Sequence, residues 1–76
     1  MKNFPELVKC ELEFARRKYG PITGAHDAYG RILEEVDEFW EEVRKRDAHR
    51  IPSKMSEELV QIAAMAQRAA EDLKLL

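Results

Sequence analysis

Apolar residues recur every three to four positions along most of the chain and nowhere alternate with period two. That spacing predicts helices and no strands. Gly20-Pro21 and Pro52 divide the pattern into three, because glycine and proline end helices rather than continue them. The first predicted helix runs from Phe4 to Tyr19. Asn3 followed by Glu6 reads as a capping-box start, with Pro5 tolerated in the first turn. The second runs from Ala25 to Asp47. The third runs from Lys54 to Leu75, with Ser53 or Ser56 as its cap.

Projection at about 100° per residue places the faces. The second helix carries an apolar stripe of Tyr29, Ile32, Val36, Phe39, Trp40 and Val43. The third carries an alanine-rich stripe of Leu59, Ile62, Ala63, Ala66, Ala69, Ala70 and Leu73, which a neighbouring helix can approach closely. The first has a broad face built from Phe4, Leu7, Val8, Phe14, Ala15 and Tyr19. Short connections predict two antiparallel helical hairpins. The expected fold is all-α: a single domain over residues 1–76, three main helices in an antiparallel bundle. Three helices of this length close a small core, and a chain below ~70–80 residues commonly needs partners, metal or disulfides. Pairing of copies into four-helix-bundle geometry, as a homodimer or homotetramer, is the expected remedy.

Composition narrows the function classes. The chain has 76 residues, 13 Lys+Arg against 15 Asp+Glu, and a net charge of −2. That is too even a balance for a nucleic-acid binder resting on bulk positive charge. No apolar run approaches the ~18 residues of a membrane span, and the first residues lack the apolar region of a signal peptide. The single cysteine, Cys10, excludes an internal disulfide, so a cytoplasmic setting is the simplest expectation. Without a His or basic group at activating spacing, Cys10 reads as a packing residue rather than a nucleophile.

The charges are segregated. Residues 32–43 carry six acidic groups, Glu34, Glu35, Asp37, Glu38, Glu41 and Glu42, and no basic one. Residues 44–56 carry five basic groups and one acidic. Like charges at i,i+3 and i,i+4 destabilise a helix. One reading of the acidic block is a solvated face; the other is a site for a hard divalent cation, which wants oxygen ligands. Glu35, Glu38 and Glu42 fall on one strip, and Glu35 borders the apolar stripe. Glu34 and Glu41 lie on the far side. The third helix offers Glu58, Gln61, Met65 and Asp72 on a comparable strip. Packed antiparallel, the two helices could face these oxygen-bearing strips across one groove.

The stretch His26–Val43, HDAYGRILEEVDEFWEEV, resembles the first metal helix of MazG-like nucleotide pyrophosphohydrolases, and Glu57–Ala66, EELVQIAAMA, resembles their second. The resemblance spans about residues 16–73 and places the chain near the all-α NTP pyrophosphatase superfamily, which includes dimeric dUTPases and phosphoribosyl-ATP pyrophosphatases. The family motif is E-x-x-E followed by E-x-x-D. Glu35 and Glu38 match the first half and Glu58 the start of the second. Gln61 stands where the family has Asp, bringing an oxygen but no charge. The resemblance implies Mg²⁺, with Mn²⁺ as a substitute, held by Glu35, Glu38, Glu58 and Gln61. Asp72, on the same strip, is a further candidate.

It also implies hydrolysis of a nucleoside triphosphate to the monophosphate and pyrophosphate. Glu35 and Glu38 are the expected catalytic carboxylates, with no covalent nucleophile. Lys18, which with Glu11 projects into the first helix's apolar face, could contact the triphosphate or simply extend to solvent. His26 could meet phosphate at a helix start or be exposed. Tyr29 and Trp40 could stack on a base or pack in the core or a subunit interface. Two other classes stay open: a non-catalytic helical module binding nucleotide or protein through a degenerate metal site, and a structural oligomerisation bundle with a solvated acidic strip.

Overall fold

The protein is described here over all of residues 1–76 by a computed structural model with three α-helices and no strand. The Asn3 side chain accepts a 3.0 Å hydrogen bond from the Glu6 amide and starts α1, Phe4–Lys18, as the capping pattern predicts. Arg16, Arg17 and Lys18 crowd its last turn, where the helix dipole favours cations. After the Gly20-Pro21 break, α2 spans Ala25–Val43. Asp27 accepts from the Thr23 amide at 3.1 Å and from Arg31 Nε at 2.9 Å, fixing the entry turn.

The second helix stops four residues short of the predicted Asp47. Arg50 Nε takes the Val43 carbonyl at 2.8 Å, and the buried Glu42 carboxylate accepts from the Ile51 amide at 3.0 Å and from Lys45 Nζ at 2.9 Å. These contacts satisfy end groups that a longer helix would have bonded internally, and they turn the chain back through a single 3₁₀ turn at Asp47–His49. Proline at the first helical position then opens α3, Pro52–Asp72. No serine caps it, contrary to expectation: Ile51 holds the cap position without a side-chain cap bond of its own, and the carboxylate on its amide comes from α2.

The arrangement differs from two hairpins. The third helix packs against both others, and α1 and α2 do not touch. Val8 and Leu12 meet Val60 and Ala64, and Arg16 meets Glu71 and Asp72, so α1 runs parallel to α3. Ala28 meets Ala69 while Glu42 meets Ile51, so α2 runs antiparallel to it. A central helix is clasped on two sides, which explains why the predicted stripe on α3 is incomplete: Val60 and Ala64 are buried on one flank and Ala69 on the other, while Leu59 and Ala66 are exposed.

Only eleven residues are buried, and three of them, Glu42, Glu58 and Arg68, are charged. Much of the apolar surface stays uncovered in one chain. Tyr29, Leu33, Val36 and Trp40, at i, i+4, i+7 and i+11, are all exposed on α2, and on α1 so are Phe4, Leu7 and Phe14. No helix is long and apolar enough to cross a membrane.

Candidate carboxylate site

Because α1 and α2 stand apart on α3, a groove of about 260 Å³ opens between them. Its floor is the α3 strip Gln61, Ala64, Met65 and Arg68. Glu11, Phe14 and Ala15 of α1 form one wall, and Glu35 and Glu38 of α2 the other. The antiparallel run of α2 against α3 brings Glu35, Glu38 and Glu58 together, with carboxylate oxygens all within 4.8 Å of one another. Glu35 and Glu38 are neighbours because i,i+3 residues share a helix face, and Glu58 reaches them from the facing helix.

Burial and charge make this cluster costly without a cation. Glu58 is 2% exposed, and Lys54, one turn earlier, pairs with it at 3.1 Å. Glu35 is pushed up to about 7, first by desolvation and then by the charges of Glu38, Glu58, Glu11 and Glu34. Glu38 is raised for the same leading reason and by Glu58, although Lys54 pulls the other way. Glu11, half-buried on the opposite wall, is raised by desolvation and by Glu57. Lys54 offsets only one of the three clustered charges. The donor set is all oxygen and contains no His or Cys, which suits a hard cation such as Mg²⁺ or Mn²⁺ rather than a soft one.

The remaining predicted positions fall differently. Gln61 lies beside the cluster with its side-chain amide turned toward Glu35 Oε2 and Glu58 Oε2. In one orientation the amide would place N–H donors 3.0 and 3.2 Å from these oxygens, and in the other it presents its carbonyl oxygen to an ion that the carboxylates would hold. Asp72 is outside the cluster. It accepts from Arg16 Nη1 at 2.7 Å and the Ile22 amide at 2.9 Å, which hold its carboxyl below the usual range. Glu42, expected on the strip with Glu35 and Glu38, is turned instead to the α2–α3 connection.

Lys18 does not line the groove; its ammonium lies 5.5 and 5.4 Å from the ring centres of Phe14 and Tyr19, which do. His26 is exposed in the first turn of α2. Tyr29 and Trp40, 68% and 55% exposed, lie on the stripe of α2 that nothing covers, and neither lines the groove. No protein-family model, curated protein or solved structure matches the chain significantly.

Two groove residues escaped the sequence reading as site residues. Glu11 was visible as a charge inside an apolar face. Arg68 was visible only as the heptad partner of Gln61, on a strip searched for oxygen ligands. Arg68 is 1% exposed. Its Nη2 donates to the Gly20 carbonyl, and its Nε stands 3.7 Å from Asp72 Oδ2, too far for a hydrogen bond. Neither Nε nor Nη1 has an acceptor, and each such buried donor costs roughly 1–3 kcal/mol.

Proposed function

We propose that this chain is a Mg²⁺-dependent nucleoside triphosphate pyrophosphohydrolase, converting a (d)NTP and water to the (d)NMP and pyrophosphate. The observation that carries the reading is the convergence of Glu35, Glu38 and Glu58 within 4.8 Å at the edge of an open groove. It agrees with the resemblance of these same residues to the MazG-like motif. Glu35, Glu38 and Glu58 would hold the ion, and Mn²⁺ could replace it. The ion would supply positive charge against phosphate oxygens and make a water more acidic.

The chain's own residues do the rest. Glu35 and Glu38 are the carboxylates that would orient the attacking water and take up its proton. Burial and acidic neighbours raise Glu35 to about 7 in the ion-free site, and a bound cation would hold it ionised. Gln61 would steady Glu35 and Glu58 through its N–H groups in the ion-free site, or offer its carbonyl oxygen to the ion. Lys54 fixes Glu58 from the α3 side. The groove volume is below the ~300–1,000 Å³ that encloses a drug-sized ligand, so one chain would hold the phosphates and leave part of the nucleotide outside. A second copy of the chain seated on the Tyr29–Trp40 stripe of α2 would extend the enclosure and enlarge the core, giving a homodimer or a homotetramer.

The uncharged amide of Gln61, where the motif has a carboxylate, favours one other reading. An amide that partly satisfies the carboxylates could let a non-catalytic module bind nucleotide or a protein with no turnover. The deciding experiment is a screen of canonical and modified (d)NTPs with Mg²⁺, separating pyrophosphate from orthophosphate. Mg²⁺-dependent pyrophosphate release that Glu38→Gln abolishes is expected. Nucleotide binding without release across the panel would overturn the enzyme reading in favour of the module.

A further inference from the structure

The groove has a second pole. Arg68 lines the floor at the end remote from Glu58, one heptad beyond Gln61 on the same strip of α3. Its neighbourhood is rich in acceptors that are already taken. Asp72 is held by Arg16 and the Ile22 amide, and the Gly20 carbonyl occupies Nη2 alone. Two N–H-bearing nitrogens of a fully buried cation therefore have no acceptor in the chain. Guanidinium groups left with free donors in this way are matched by oxyanions, which accept charge-assisted N–H bonds from them. Tyr19 and Arg68 together line each of the three depressions that meet at this end. Tyr19 lies beyond the last turn of α1, in extended backbone and half-exposed.

We infer that Arg68 is a phosphate-binding residue: a free N–H of its guanidinium receives a phosphoryl oxygen of a phosphoanhydride whose other phosphates face the cation held at Glu35, Glu38 and Glu58. The inference rests on the proposed reading of those carboxylates and adds the anion-binding half of the site. Three carboxylates repel a free phosphate, so occupation of the Arg68 end depends on the cation. The groove is thereby polar along its length, with acid at one end and a buried base at the other, and a polyphosphate chain is the ligand whose charge spans both through an intervening divalent ion.

The probe is inorganic tripolyphosphate with the full chain. NMR of the arginine Nε–Hε signals follows the site without mutation. With Mg²⁺ and tripolyphosphate, the Arg68 signal shifts while that of Arg44, paired with Glu41 on the surface, stays in place. Tripolyphosphate without Mg²⁺ leaves Arg68 unmoved. Calorimetry of Arg68→Lys, which keeps the charge but loses the spread of guanidinium donors, shows tripolyphosphate affinity reduced by about tenfold or more, with Mg²⁺ affinity retained. If Mg²⁺-tripolyphosphate binds but the Arg68 signal does not move, the inference is overturned and the carboxylate site stands. If Mg²⁺ alone neither binds nor stabilises the chain, the carboxylate reading falls, and the inference with it.

Discussion

Glu35 shows how a single residue carries both the instability and the chemistry of this site. Its ordinary value is 4.5 and its folded value about 7, mainly because α2 and α3 remove it from water. A carboxyl raised in the folded state binds more protons there than in the unfolded chain across that interval. Its linkage term is therefore most favourable at low pH, and stability falls as pH rises from about 4.5 to about 7. Asp72 works in the opposite sense and protects the fold above its own depressed value. In EDTA, urea denaturation near pH 5.5 and pH 8 is expected to show the loss attributable to Glu35. Glu35→Gln is expected to flatten it, and saturating Mg²⁺ to reverse it at pH 8 by mass action. Equal slopes for wild type and Glu35→Gln would show that Glu35 is not the group responsible. The E-x-x-E spacing made Glu35 and Glu38 legible in the sequence, because helical register alone fixes their adjacency. The approach of Gln61 to both Glu35 and Glu58 was not legible. It depends on which face Glu58 presents, a tertiary fact.

At the scale of elements, starts were easier to read than ends. Asn3 and Pro52 act locally, through a side chain or a fixed φ, and the Gly20-Pro21 break sets α2 apart, so α1 and α2 begin where their sequences suggest and α3 only two residues early. The end of α2 is decided by residues seven to nine positions downstream, Arg50 and Ile51, and no local pattern announces it. The Asn3 cap gives a direct test of the local kind. Asn3→Ala removes the acceptor of the Glu6 amide and is expected to cost about 1 kcal/mol. For a domain of this size that corresponds to a fall of roughly 4–8 °C in melting temperature, measurable by circular dichroism. No change would mean that the first turn of α1 is frayed in solution.

At the scale of the molecule, the all-helical class followed from periodicity, whereas the order in which the helices touch did not. Alanines on α3 signalled close approach without saying from how many sides. The stripe expected on α2 is divided: Ile32, Phe39 and Val43 are half-buried, whereas Tyr29, Val36 and Trp40, joined by Leu33, are exposed. A second copy placed there would add to a core that holds only eight apolar residues in one chain. Val36→Glu, at the centre of the stripe and outside the groove, is expected to yield monomers by light scattering. The parent's melting temperature should rise with protein concentration, and the variant's should not. A monomeric parent at tens of micromolar would refute that assembly.

The separation of α1 from α2 also orders the making of the molecule in time. Each of these helices finds its partner only on α3, across chain separations such as the 56 residues from Arg16 to Asp72. Chains elongate at about 5–20 residues per second and fold as their contacts become available. The first two helices thus emerge with no tertiary partner and wait, amphipathic and uncovered, for the last third of the chain. Until α3 is made, both apolar faces stay open to chaperones and proteases, and the fold is gained as that helix forms, from the Glu42–Ile51 turn outward, rather than accumulated helix by helix.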